Sequence, residues 1–123
     1  MNDAETHAYL RDNGYPEHIV RGGKAGIVDR WKRFVEEVER GYEFGLEDYR
    51  NDLDIRGVIR LAGAEEEVAD ADERFLAMLT NTDTRVWESG GGDPPWDFGY
   101  PRNASRRLLA DLRAAGLLPV TEP

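Results

Sequence analysis

The carboxylates packed most densely along this sequence lie in Asp48-Tyr49-Arg50-Asn51-Asp52-Leu53-Asp54. Placed on a helix, Asp48 and Asp52 stand four residues apart on one face, and two carboxylates so arranged can share a divalent cation. The same stretch also supports plain ion pairing: Arg50 reaches Asp54, and Asp52 reaches Arg56, each at the spacing that helices favour. The ligand spacing and terminal glutamate of an EF-hand loop are absent. The two histidines, His7 and His18, have no partner at metal-ligand spacing, and the chain has no cysteine. Thiol nucleophiles, disulfides and thiolate metal sites are thereby excluded. Ser89 falls in a glycine-rich stretch and Ser105 at a helix start, so neither reads as a triad nucleophile. No catalytic set is assigned from these residues, and no cofactor is expected.

A second carboxylate set consists of two pairs at helical spacing, Glu36 with Glu39 and Glu67 with Asp70. These two short motifs resemble the acidic helices of all-α nucleotide pyrophosphohydrolases. The resemblance implies magnesium held between facing helices, where it would polarise phosphate and activate water. Two departures stand against it. Arg40 occupies a position where that family's first acidic motif has a further glutamate, and a supporting basic residue is not evident near Asp70. The alternative function read from the sequence is therefore a small magnesium-dependent hydrolase of a nucleotide or phosphate ester. Its metal would sit on Glu36, Glu39, Glu67 and Asp70, or else on Asp48 and Asp52.

The loop from Trp87 to Pro101 is the more unusual feature. Trp87, Trp96, Phe98 and Tyr100 lie amid glycines, prolines, Asp93 and Asp97. Aromatic side chains on an irregular backbone suit a recognition surface. The same rings equally suit anchors that pin a long loop to the core. The triple glycine is no phosphate loop, because no lysine follows it and Pro94-Pro95 removes the amides and helix such a loop needs.

These residues must be positioned by helices. Asp3 caps a first helix to Asn13, Gly14 ends it, and Pro16 opens a turn through Val20 that Gly22-Gly23 breaks. From Lys24 to Arg40, Ile27, Val28, Trp31, Phe34, Val35 and Val38 form one apolar stripe at helical period. Further helices are expected over Leu46–Ala62, with Gly57 as a possible break, over Ala64–Thr80, and over Ala104–Ala115 behind an Asn103 cap. Residues 81–102 read as a loop, with Thr84 to Glu88 as a short extended piece. No alternating run is long enough for a sheet. Tyr9, Tyr15, Trp31, Phe34, Tyr42, Phe44 and Tyr49 read as core and core-edge residues. The predicted architecture is all-α: a compact bundle of four to five helices in one domain, 1–123, with one long Gly/Pro/aromatic-rich loop before the last helix.

The net charge of −9 is unevenly spread, with ten acidic and two basic residues between positions 64 and 100. Such a segment repels phosphate backbones and steers basic proteins toward itself. The function read first from the sequence is a non-catalytic acidic protein-interaction module. One concrete form is an inhibitor or immunity-type partner of a basic bacterial protein such as a nuclease toxin. Glu65, Glu66, Asp70, Asp72, Trp87, Asp93, Trp96, Asp97, Phe98 and Tyr100 would carry the binding. The expected partner is a protein with a basic surface, neither nucleic acid nor membrane. The acidic start without an apolar run, and the lack of any stretch near 20 apolar residues, point to a cytoplasmic protein.

Overall fold

A computed structural model describes residues 1–81 and 99–116. The fold is all-α: helices α1 (Asp3–Asp12), α2 (Glu17–Arg40), α3 (Leu46–Leu61), α4 (Ala69–Met78) and α5 (Arg106–Ala114), with a 3-10 turn over Glu65–Val68 leading into α4. Among the described residues no helix is long and apolar enough to cross a membrane. The expected extended piece at Thr84–Glu88 and the packing of Leu117, Leu118 and Val120 lie outside the described residues.

The stripe on α2 organises the core. Ile27, Val28, Trp31, Phe34, Val35 and Val38 are all buried, as the 3.6-residue period requires. Tyr49, Leu53, Val58 and Ile59 of α3, Val68, Phe75 of α4, and Leu108 and Leu112 of α5 close around them into one hydrophobic cluster. At its centre Phe34 packs against the rings of Trp31, Tyr42, Tyr49 and Phe75, with centroids 5.2–6.0 Å apart. Gly57 does not interrupt α3, which runs continuously through it.

The ends of the helices depart from the expected pattern. Asn2, not Asp3, caps α1, its side chain accepting from the Glu5 amide while Glu5 reaches back to the Asn2 amide. Asp3 is thereby freed to serve another helix. Gly23 takes φ 59° and ψ −149°, which kinks α2 and starts a fresh helical segment at Lys24. The Lys24 amide donates to Asp3 Oδ1 at 3.0 Å, so the cap of the long segment is borrowed from α1. The start of α3 is likewise capped from elsewhere: the Leu46 amide donates to Asp111 Oδ2 of α5 at 3.0 Å. Both glycines at these joints leave room for the visiting carboxylate. A Cβ at Gly23 would meet Asp3 Oδ1 at 2.6 Å, and one at Gly45 would overlap Asp111.

Two further differences concern the acidic segment and the last helix. The region expected as one helix from Ala64 begins as the 3-10 turn before α4. It ends in a short strand, Leu79–Asn81, paired antiparallel with Gly99–Pro101 so that Thr80 faces Tyr100. Alternation over three residues was too short to read from sequence. Ser105 rather than Asn103 caps α5, accepting from the Leu108 amide. Asn103 instead donates to the Val38 carbonyl at 3.0 Å and fastens the approach to α5 onto the end of α2.

Gly23→Ala is expected to destabilise the protein by about 1–3 kcal/mol, through an unfavourable positive φ and collision with the Asp3 cap. Gly57→Ala, at an open helical position, should instead stabilise by about 0.5–1 kcal/mol. Urea unfolding of the two variants checks both signs.

Candidate functional site

The carboxylates between Glu65 and Glu73 divide into two sets with opposite orientation. Asp72 turns inward. Its Oδ1 accepts from Trp31 Nε1 and from Arg56 Nε, both at 2.9 Å, and its Oδ2 accepts from Arg56 Nη2 at 2.7 Å. Arg56 Nη2 also donates to Glu65 Oε2 at 2.8 Å. Arg56 is only 2 % exposed and Asp72 15 %, so this is a desolvated, side-on guanidinium–carboxylate pair. Burial pulls the Arg56 pKa down, and the bonds from Asp72 and Glu65 more than reverse that, holding it above its ordinary value. The sequence reading paired Arg56 with Asp52 along α3; in the fold Arg56 leaves that surface and reaches α4. Asp72, placed by the sequence among partner-binding residues, is an internal ligand of Arg56 and Trp31.

Glu66, Glu67, Asp70 and Glu73 form the outward set, all exposed. Asp70 is 89 % exposed, and Leu76, one turn beyond Glu73, leaves 38 % of its surface open. The outer side of α4 thus presents carboxylates together with one apolar side chain. Glu65, half-exposed, links this face to Arg56 and lies 3.8 Å from Arg60. Tyr100 packs against the core from the second strand. Trp87, Asp93, Trp96, Asp97 and Phe98 lie outside the described residues.

The residues of the alternative metal set are distributed as follows. Glu39 on α2 is held by Arg74 of α4, whose Nε donates to Glu39 Oε2 at 3.1 Å and whose Nη2 pairs with Glu39 Oε1. Arg74 Nη1 also lies 4.0 Å from Asp70 Oδ2. The basic residue near Asp70 is therefore Arg74, four positions on, and it places a guanidinium between the two acidic helices. Glu36 and Glu67 are exposed. Asp52 accepts from the Tyr42 hydroxyl at 2.8 Å, and Asp48 is exposed one turn before it on α3. Among the described residues no group of three or more His, Asp or Glu is arranged to hold a metal ion.

Sequence reasoning missed a cleft of about 530 Å³ where the Pro16 corner meets α3, lined by Tyr9, Tyr15, Arg30, Asn51, Asp52 and Asp54 among others. A neighbouring hollow of about 340 Å³ shares Ile19, Arg30 and Asp52 with it and adds His18 and Glu37. Burial pushes the Asp52 carboxyl up, as do nearby Glu37 and Asp48; the Tyr42 hydroxyl and Arg30 pull the other way without prevailing. Burial also raises the Asp54 carboxyl and the Tyr15 phenol. Tyr42 is raised most strongly, by burial and then by its bond to Asp52. The signal in the sequence was the Asp52/Asp54 pair itself. What could not be read was that the corner at Pro16 folds over it.

Compared with protein families, with curated proteins and with solved structures, the chain gives no match.

Asp72→Asn is expected to cost about 2–4 kcal/mol, because it strips a buried guanidinium of its main counter-charge. An Arg56→Met/Asp72→Leu double variant should recover most of that loss in urea unfolding. At Asp52 the folded pKa lies above the unfolded value near 3.9, so its contribution is present in acid and is lost as pH rises through the folded pKa. Asp52→Asn keeps an acceptor for Tyr42 and should raise Tm at about pH 7, the advantage fading toward about pH 3 in a pH series of thermal melts.

Proposed function

We propose that the chain is a non-catalytic acidic interaction module that binds a basic protein in the cytoplasm, in the manner of an inhibitor or immunity-type partner of a basic enzyme such as a nuclease. The observation that carries this reading is the outer face of α4 and its preceding turn: Glu66, Glu67, Asp70 and Glu73 exposed together beside Leu76. Carboxylates grouped on a rigid element attract a cationic surface over a distance, and an adjacent apolar side chain supplies contact once it arrives. The rigidity comes from beneath. Asp72 and Glu65 on Arg56 fix the rotation of the segment, so its outward acids are held in one arrangement before any partner binds.

In this reading Asp72 positions the surface and does not touch the partner, whereas Glu65 sits at the edge of both roles. Tyr100 acts as an anchor at the base of the loop. Trp87, Asp93, Trp96, Asp97 and Phe98 enter from sequence alone, as rings and further charges that would extend the face. The arginine between Glu39 and Asp70 weighs against the hydrolase reading, since it supplies the positive charge that a magnesium ion would bring.

A Glu66→Gln/Glu67→Gln/Asp70→Asn/Glu73→Gln variant tests this. With circular dichroism and Tm unchanged, it should bind a partner recovered from the native host about tenfold more weakly or worse, with a flatter salt dependence. Equal affinity of variant and wild type in biolayer interferometry would refute the assignment of that face.

A further inference from the structure

We propose that Asn13 is a modification site. Its side-chain amide is lost to attack by the Gly14 nitrogen, at a rate set by how often the end of α1 lifts from the core, and the product loosens that end further. The inference stands apart from the acidic face of α4, which lies on a different helix.

Asparagine side chains are chemically labile, and the residue that follows sets how readily they react. A following side chain shields the backbone nitrogen that must attack, and glycine carries none. Asn13 is followed by Gly14, whereas Asn2, Asn51, Asn81 and Asn103 are followed by Asp, Asp, Thr and Ala. The Gly14 nitrogen bonds to Asn13 Cγ as its proton passes to Nδ2. The Cγ–Nδ2 bond breaks, and ammonia leaves behind a five-membered imide. Water then adds across either imide C–N bond and gives aspartate or isoaspartate. Amide plus water thus becomes carboxylate plus ammonium, with water as the co-reactant.

Asn13 and Gly14 are exposed, so water reaches them, and it is the backbone that keeps the site closed. Closing the imide ring requires Asn13 Cβ and the Gly14 nitrogen to eclipse about the Cα–C bond. At ψ 13° that nitrogen eclipses the Asn13 nitrogen instead and is carried away from Cγ. Three bonds hold this arrangement. Asn13 Nδ2 donates to the Tyr9 carbonyl at 2.8 Å, the Gly14 amide to the Arg11 carbonyl at 3.2 Å and the Tyr15 amide to the Leu10 carbonyl at 3.1 Å. Gly14, at φ 77°, supplies the left-handed residue that such a helix end needs. All three bonds are released when the last turn of α1 frays. α1 packs on α2, with Thr6 and Leu10 as its buried residues, so its opening belongs to the low end of local stability. The product then works against the cap. It loses the Nδ2 donor to Tyr9 and sets a carboxylate at the negative end of α1, facing a hollow that already contains Asp52 and Asp54. Isoaspartate also lengthens the main chain by a methylene, displacing the Gly14 and Tyr15 amides from their acceptors. Because α1 carries the Asp3 cap of Lys24, the loosening extends to α2.

The test incubates the full chain at neutral pH and physiological temperature, folded or unfolded in guanidinium chloride. Asn13 is followed by peptide mass spectrometry together with an isoaspartate assay. Conversion is expected in the unfolded chain, and at least about tenfold more slowly in the folded one. Leu10→Ala, which removes the buried contact of the last turn of α1, should speed conversion in the folded chain about three- to tenfold. Leu10→Val tests the same direction should the alanine variant fail to fold. Asn13→Asp, which installs one of the two products, should speed amide exchange over residues 10–15 and lower Tm by about 3–6 °C. No conversion at Asn13 in the unfolded chain, a folded chain that converts as fast as the unfolded one, no acceleration in the folded Leu10 variant, or an Asn13→Asp variant as stable as wild type would overturn the proposal.

Discussion

The bond set around Arg56 is the constraint on which the rest of this structure depends. A guanidinium that is 2 % exposed is costly to desolvate, and it is tolerated only where carboxylates meet it in good geometry. Here Asp72 takes two of its N–H groups side-on, Glu65 takes another, and Asp72 also receives the Trp31 indole. Four elements, α2, α3, the 3-10 turn and α4, meet at one charged point inside an otherwise apolar core. Hydrophobic packing is tolerant of small rotations, whereas this arrangement is not. Turning α4 by one residue would carry Asp72 away from Arg56 and leave an unmatched charge buried.

That specificity has a consequence for the surface. The 3-10 turn and α4 are rich in acids on every side, so composition alone could not say which would meet solvent. Arg56 decides it. By claiming Asp72 and Glu65 it sends Glu66, Glu67, Asp70 and Glu73 outward. A second arginine, Arg74, then ties α4 to Glu39 of α2 across the exposed edge. The 3-10 turn and α4 therefore form a surface whose geometry is set from below and from the side.

Much of this fold could be read from the chain. The α2 stripe, the extents of α3 and α5, and the breaks at Gly14 and Gly22-Gly23 follow from period and from backbone preference, which are local properties. What escaped was every feature settled by a residue far away in the sequence. Arg56 looked like a solvated partner of Asp52 because that pairing is local; its true partners lie nine and sixteen residues on. Asp3 looked like the cap of its own helix, and Asn103 like the cap of α5, because capping is ordinarily judged from neighbours. The cleft at the Pro16 corner was illegible for the same reason: its two walls come from opposite ends of the first half of the chain.

The borrowed helix ends carry one more implication, for how this molecule is made. The first amide of α3, that of Leu46, finds its carboxylate on α5, at Asp111. A nascent chain that has exposed α3 but not yet residue 111 therefore holds a helix whose opening turn is incomplete. That turn is finished by a residue of a later helix and not by its own neighbours. The opening turn of α3 is therefore completed only once residue 111 has been made, and removing α5 would loosen a helix more than forty residues upstream.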